Sequence, residues 1–278
     1  MDEMPSSLKK DKSILFSFFN IISMQYGSIE FIAPLRQAPN RNYIIKGDVE
    51  TVGVAGEDTP IYIAKYFNKS RTNNIPIPQK NKDGYTIDFI NIMSSKDLFR
   101  DKLQKWMDYF EIGNLSIQNT KTGLLSLCID NHNITDVGFG VSQVLPIIAQ
   151  GLNMNPDSIL LLEQPEIHLH PQMQMADFLL ALACSNINVV VETHSDHVIN
   201  RIIKRMMEDR TGGLKSKVVI YFVENDTTSR VSEILTDNVQ GVINAPIQFF
   251  GQYGVEISEI TRLGYQNLMT QRMERIDS

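Results

Sequence analysis

The sequence contains only two cysteines, Cys128 and Cys184, far apart and without a Cys-x-x-Cys spacing. This scarcity argues against a disulfide framework and favours a reducing, cytoplasmic compartment. Long apolar runs are also missing. The run from Ile14 to Ile22 follows lysines, as in a secretory leader, but no small-x-small cleavage site accompanies it. Because it is too short to cross a bilayer, we predict a buried helix there and no membrane association.

Basic residues are not in excess either. The chain has 26 Lys and Arg against 32 Asp and Glu, a formal net charge of -6 and a pI near 5.4. No overall field therefore attracts nucleic acid, so any DNA contact would be local or made indirectly through a partner. With 42% hydrophobic residues among 278, the chain can bury the core of one large domain or two small ones.

Hydrophobic periodicity and turn residues divide the chain into three predicted regions, 1–135, 136–223 and 224–278. The first region reads as a mixed α+β part. Its predicted elements are a helix at 7–26, a strand at 28–32, a loop at 34–59, a helix at 61–67, a polar surface loop at 68–84, a helix capped by Ser94 or Ser95, and a hairpin formed by 115–118 and 124–129.

From Asp136 onward, helices alternate with short and wholly apolar strands. Such strands indicate a parallel sheet covered by helices on both faces, and therefore an α/β core. The predicted elements are a helix from Ser142, a strand at 159–162, a helix from Pro171, a strand at 189–191, a helix from Ser195 and a strand at 218–223, followed by a possible strand at 231–235 and a terminal helix from about Glu256.

An acidic residue, Glu163, ends the apolar strand Ile159 to Leu162. Ligands of parallel sheets bind at the carboxyl ends of the strands, and magnesium in phosphate sites takes one or two carboxylates. We therefore expect Glu163 to hold Mg²⁺, the alternative being an ordinary acid at a strand end. His168 and His170 follow in a loop and could be read as a metal site, although catalytic zinc normally adds a third ligand.

A histidine, His194, ends the neighbouring strand, and Ser195 then caps a helix. An imidazole there can hydrogen-bond a γ-phosphate and act as a switch. The rival interpretation is a catalytic triad of Ser195, His194 and Asp196. Side chains adjacent in sequence rarely face one another, and the sequence has no nucleophile elbow, so we disfavour the triad.

Two glycines, Gly138 and Gly140, precede Ser142 and Gln143. Glycines let a ligand approach the backbone closely, and the helix that Ser142 is expected to open presents amides that favour anions. Alone, this pattern would indicate only a turn and a helix cap.

Along the chain, the glycine segment before Gln143, the acidic strand that ends at Glu163 and the strand end at His194 follow one another in this order. Together they resemble the second half of prokaryotic AAA-type, ATP-binding-cassette-like ATPases related to the heads of SMC, RecF and OLD-nuclease proteins. The run from Glu163 to Pro171 is typical of the subfamily with Glu-Gln-Pro-Glu-x-His-Leu-His-Pro. The resemblance extends back to Ala33–Arg36 and forward to Gly241 and Pro246. It implies the C-terminal lobe of an ATP-binding-cassette-type P-loop NTPase, completed by the N-terminal α+β region.

This resemblance also implies ATP and Mg²⁺ as cofactors and a role for each matching residue. Gln164 stands at the position of the catalytic water, where a glutamate is usual, and Glu166 is the alternative base. The remaining implied roles are nucleotide binding by Gly138, Gly140, Ser142 and Gln143, magnesium binding by Glu163, a dimer-facing loop at His168, Leu169 and His170, and a switch at His194.

One motif that such ATPases need, the phosphate loop Gly-x-x-x-x-Gly-Lys-Ser/Thr, does not occur in the sequence. The first hypothesis is an ATPase, active when missing sequence or a partner supplies that loop, which dimerises head to head and controls an effector such as a nuclease or toxin in DNA repair or phage defence. The alternative is a non-hydrolysing regulatory subunit. Arg36 and Arg41 could meet phosphate or the missing lobe, or form surface salt bridges.

Overall fold

In a computed structural model, the described residues are 27–45, 47–70, 73–82, 84–90, 96–119, 123–167, 175–225, 229–237, 241–246 and 249. The helices predicted at 7–26 and from Glu256 lie outside this set. The chain divides into two compact units, Met1–Arg201 and Ile202–Ser278. The three regions expected from the sequence stay a prediction.

The α-helices of the described residues alternate with strands along the chain. They are α1 at Thr59–Tyr66, α2 at Phe99–Tyr109, α3 at Phe139–Gly151, α4 at Met175–Cys184 and α5 at Asp196–Glu208.

α2 begins later than predicted, and α3 begins earlier. α2 begins at Phe99, and Leu98 precedes it without a side-chain cap, so the predicted cap at Ser94 or Ser95 is wrong. α3 begins at Phe139 with Gly138 in the cap position, so Ser142 lies in the first turn and does not open the helix. Glycine can take the cap conformation, and this removes the need for a serine cap.

The first unit contains a parallel sheet of three strands in the order β1, β7, β8. β1 covers Ile29–Ile32, β7 covers Ile159–Glu163 and β8 covers Asn188–Glu192. Phe31, Leu161 and Val190 lie side by side across the three strands. The sequence prediction of an α/β core with a parallel sheet is therefore confirmed in this unit.

One face of this sheet is packed and the other is open. Ile32, Leu160 and Leu162 are at most 2% exposed, and α4 contacts β8. On the other face, Phe31 is 38% and Val190 59% exposed. Within the described residues this row is therefore less enclosed than the opposite face, and cover by helices on both faces stays a prediction.

Antiparallel strands complete the first unit. β4 at Leu115–Asn119, β5 at Leu125–Ile129 and β6 at His132–Asn133 form one sheet, which confirms the predicted hairpin. β2 at Gln79–Asn81 pairs with β3 at Gly84–Thr86. The predicted surface loop at 68–84 therefore contains a strand, and it also buries residues such as Asn73 and Ile75.

The second unit contains two antiparallel pairs. β9 at Ile220–Asn225 pairs with β10 at Ser229–Ile234, and β11 at Thr236–Asp237 pairs with β12 at Gly241–Val242. The strand predicted at 231–235 is confirmed. The one predicted at 218–223 forms, but its described partner is antiparallel, because the short loop after it returns the chain as a hairpin.

Aromatic residues and a buried ion pair fix the helices of the first unit. The Trp106 ring packs edge-on against Phe178, with centroids 4.9 Å apart. Asp177 of α4 accepts hydrogen bonds from the Arg201 guanidinium and from the Tyr109 hydroxyl. α2, α4 and the first residues of α5, up to Arg201, are therefore joined by one carboxylate. Both cysteines are buried and free, and none of the described helices has the length and apolarity to cross a membrane.

Candidate functional site

The carboxyl ends of β7 and β8 lie side by side, with Glu163 opposite Glu192 in the register. Gln164 and Glu166 follow β7, and His194 follows β8. Residues from two of the three predicted segments therefore meet at one edge of the sheet, which is where ligands of parallel sheets bind.

The chain turns sharply at Gln164, whose φ is +43°. Left-handed backbone costs a residue with a side chain about 1–2 kcal/mol. The amide of Gln164 donates to the Glu192 carbonyl at 2.8 Å, so the turn stays joined to β8. Backbone strain of this kind occurs at functional sites, where surrounding contacts maintain it.

A buried arginine, Arg36, supports this turn from the loop after β1. Its side chain is only 4% exposed. Its Nη2 donates to the carbonyl oxygens of Glu163 at 3.1 Å and Gln164 at 3.4 Å. Burial lowers the pKa of Arg36 to about 10, an effect that the negative charge of Glu166 opposes, so the group is still a cation at neutral pH.

The two arginines of this loop therefore differ. For Arg36 the expectation of a surface salt bridge is wrong. For Arg41 it is confirmed, since Arg41 pairs with Asp136 in an exposed position.

The Glu166 carboxylate has one engaged and one unengaged oxygen. Oε1 accepts a hydrogen bond from the Thr193 hydroxyl at 2.6 Å, and the Thr193 oxygen accepts from the Ser195 amide at 3.0 Å. Oε2 is buried and has no hydrogen-bond partner among the described residues. This contact joins the turn after β7 to the turn after β8, and it leaves an oxygen that can accept a proton.

His194 points towards solvent at the same edge. Its side chain is 79% exposed, and Nε2 lies 3.2 Å from Oε1 of Glu192. The ring therefore contacts Glu192 rather than Ser195 or Asp196, which gives the rival catalytic triad no support. Glu192 and Thr193 were missed as site residues, although both stand in the sequence segment that ends at His194.

The residues at the start of α3 differ in their accessibility to a ligand. A Cβ placed on Gly138 would meet nothing within 4 Å. The Ser142 hydroxyl instead donates to the Phe139 carbonyl at 2.7 Å. Ser142 also lines an open cleft of about 350 Å³. Gln143 is 1% exposed and donates to the Arg36 carbonyl at 3.4 Å. In this conformation, the glycine is accessible while the two polar side chains are held inside.

The oxygens at the sheet edge fit a magnesium site of the phosphate-binding kind. The Glu163 carboxylate makes no hydrogen bond with the described residues, so both of its oxygens are open to a ligand. Mg²⁺ binds through one or two carboxylates and otherwise through water and phosphate oxygens. Within the described part, no group of three His, Cys, Asp or Glu could hold a metal by itself. His168, Leu169 and His170 lie outside the described residues.

Comparison with known families shows to which family the chain belongs. The AAA ATPase domain family matches residues 57–199, just over half of the chain. The chain belongs to this family. Its members bind ATP with Mg²⁺, which supports an ATPase-type function. The match includes Gly138, the turn after β7 and His194, and it begins beyond Arg36. No curated protein and no solved structure matches the chain.

Proposed function

We propose that this member of the AAA ATPase domain family is the catalytic second half of an ATPase head, which binds ATP and Mg²⁺ at the carboxyl edge of β7 and β8. The observation that carries the proposal is the Glu166 carboxylate, held by Thr193 through one oxygen and buried at the other, which has no partner among the described residues. It stands three residues after Glu163 and one hydrogen bond from the turn that carries His194.

Each of these side chains has a separate task. Glu163 would hold Mg²⁺, directly or through water. The bound ion would neutralise charge on the phosphate oxygens. Glu166 accepts the proton of the attacking water through Oε2, while the Thr193 hydroxyl fixes the orientation of the carboxylate. His194, held by Glu192 and facing solvent, hydrogen-bonds the γ-phosphate and reports its presence.

Gln164 cannot act as the base because its amide does not accept a proton at neutral pH. An amide can orient water for phosphoryl transfer, as in small GTPases. We therefore assign Gln164 a water-orienting role and Glu166 the proton. Slow turnover follows from this division, because the base is displaced by two residues from the usual position.

The start of α3 supports a head-to-head dimer around ATP. Packing among the described residues does not require Gly138 to be a glycine, since a Cβ there would meet none of their atoms within 4 Å. A glycine is useful when a ligand or a second protein approaches the backbone. We assign Gly138, Gly140, Ser142 and Gln143 to the nucleotide held by the second head, with Ser142 and Gln143 turning outwards on binding.

The phosphate loop would come from further sequence of the same protein or from a partner. The open face of the parallel sheet supports this, because such sheets are normally covered on both sides, whereas Phe31 and Val190 are exposed here. An effector such as a nuclease or toxin, and a role in DNA repair or phage defence, are further parts of the proposal that rest on the resemblance alone.

The test compares ATP and Mg²⁺ binding and hydrolysis by the chain alone and by its complex with a phosphate-loop protein that co-purifies with it. In the complex, we expect hydrolysis that Glu166→Gln slows by about 10²–10⁴-fold with ATP binding intact. Glu163→Gln should weaken Mg²⁺-dependent binding. Glu50→Gln, at a position with an 81% exposed side chain, is the matched control and should change neither.

Two outcomes would contradict this assignment. A Glu166→Gln complex that hydrolyses ATP at the original rate would remove Glu166 as the base. A complex that binds ATP and Mg²⁺ tightly without turnover would favour the second candidate, a regulatory pseudo-ATPase. That candidate is motivated by the amide of Gln164 at the water position.

A further inference from the structure

Arg36 is a buried cation for which the proposed reaction has no task. It stands on the loop after β1, is 4% exposed and directs its guanidinium at the backbone of the neighbouring strand end. A buried charge is costly unless hydrogen bonds and opposite charge compensate it. Its compensation comes from backbone carbonyls and from the nearby charge of Glu166.

The geometry of those carbonyls shows what the arginine does. Successive carbonyl groups of a strand point in opposite directions. Here the carbonyls of Glu163 and Gln164 both accept from Arg36. Both carbonyls can face the same guanidinium because the backbone leaves the strand conformation at Gln164, where φ is +43°. The guanidinium therefore stabilises the strained conformation of the very turn that bears the proposed site residues.

Arg36 also joins this turn to the other half of the site. Its own carbonyl accepts a hydrogen bond from the Gln143 side chain at 3.4 Å, and Gln143 is the fifth residue of α3. Through one residue, the turn after β7 is tied to the glycine-bearing start of α3.

We propose that Arg36 is a positioning residue that holds the turn at Glu163 and Gln164 and couples it to Gln143 near the start of α3. The catalytic meaning of this role rests on the proposed function. The backbone role does not, because it can be measured without nucleotide.

The first experiment measures amide hydrogen exchange by NMR in the full chain. Arg36→Met removes the donors but keeps a similar stem. We expect the Gln164 amide, which donates to the Glu192 carbonyl, to exchange at least tenfold faster. Arg41→Met is the matched control, since Arg41 stands on the same loop and forms an exposed ion pair. It should leave the Gln164 amide unchanged.

A second variant separates positioning from general support of the fold. The Ile167 amide donates to the Gln164 carbonyl, so Arg36→Met should accelerate its exchange too. Glycine adopts positive φ without steric cost, so Gln164→Gly in the Arg36→Met background should return exchange of this amide to within about threefold of the original. If Arg36→Met fails to fold, Arg36→Lys provides the measurement, and exchange should rise because lysine lacks the rigid planar pair of nitrogens, Nη1 and Nη2, that donate to these carbonyls. Unchanged exchange at Gln164 in the folded Arg36 variant, or no recovery with glycine, would overturn the proposal.

Hydrolysis by the complex with the phosphate-loop protein gives an independent readout. Arg36→Met should lower kcat at least tenfold and change KM less than twofold, because the nucleotide contacts remain while the turn is displaced. Altered exchange in a chain whose complex never hydrolyses ATP would leave Arg36 in its role and refute the proposed function. Hydrolysis that is unaffected by Arg36→Met would refute the positioning role of Arg36 and leave the proposed function standing.

Discussion

The ion pair between Asp177 and Arg201 allows a quantitative prediction. The Asp177 side chain is 0% exposed and that of Arg201 is 21% exposed. Two hydrogen bonds, at 2.9 and 3.1 Å, run from the guanidinium to Asp177 Oδ2. Arg201→Met keeps the apolar stem but removes the guanidinium charge from the buried carboxylate. Breaking a buried pair in this way costs about 3–5 kcal/mol.

Asp177→Asn should cost less, because the amide oxygen still accepts hydrogen bonds and the guanidinium is partly solvated. The change from charged to neutral hydrogen bonding corresponds to about 1–2 kcal/mol. The double variant lacks both charges, so its cost should fall short of the sum of the single costs by about 1–3 kcal/mol.

Urea unfolding followed by circular dichroism measures these differences. Lys204→Met provides the control on the same helix, since Lys204 forms an exposed pair with Glu208 at 3.7 Å and should contribute less than about 1 kcal/mol. Additive single effects, or an Arg201→Met variant as stable as Lys204→Met, would refute the view that α4 and α5 are held by a buried charge pair.

Two further predictions concern packing and pH. Gly151→Ala should destabilise the chain by about 1–3 kcal/mol, because the new Cβ would lie 2.9 Å from the ring of Phe178; Gly138→Ala, with open space around it, should leave the urea midpoint unchanged. Burial, reinforced by a neighbouring carboxylate, raises the pKa of Tyr109, so the folded state favours the neutral hydroxyl. Its stabilisation is complete below pH of about 10 and is lost as pH rises further, and Tyr109→Phe should flatten that alkaline loss in pH-dependent unfolding.

The sequence predicted those parts of the fold that depend on local pattern. The apolar run before Glu163 and the run of valines before Glu192 were recognised as parallel strands, and both pair as expected. The antiparallel partner of β9 was not foreseen. An apolar strand of six residues has the same pattern in either kind of sheet, and only the length of the following connection distinguishes them.

Helix starts were predicted less well, for a reason that α3 illustrates. Ser142 looked like a cap because serine is favoured there. In the structure its hydroxyl donates to the Phe139 carbonyl one turn earlier, a contact that a serine within a helix can also make. The sequence alone does not separate these two uses of the same side chain.

The role of Arg36 could not be derived from the sequence because it depends on contacts across about 130 positions of the chain. A charged residue in a polar loop is usually solvated, and Arg41 follows that rule while Arg36 does not. What distinguishes them is position relative to the sheet. Arg36 comes four residues after β1, at the edge where β7 also ends. Its guanidinium therefore contacts the carbonyls of Glu163 and Gln164, at the point where the chain leaves the sheet. Knowledge that β1 neighbours β7 would have predicted this contact, and that pairing is a property of the folded sheet rather than of either strand.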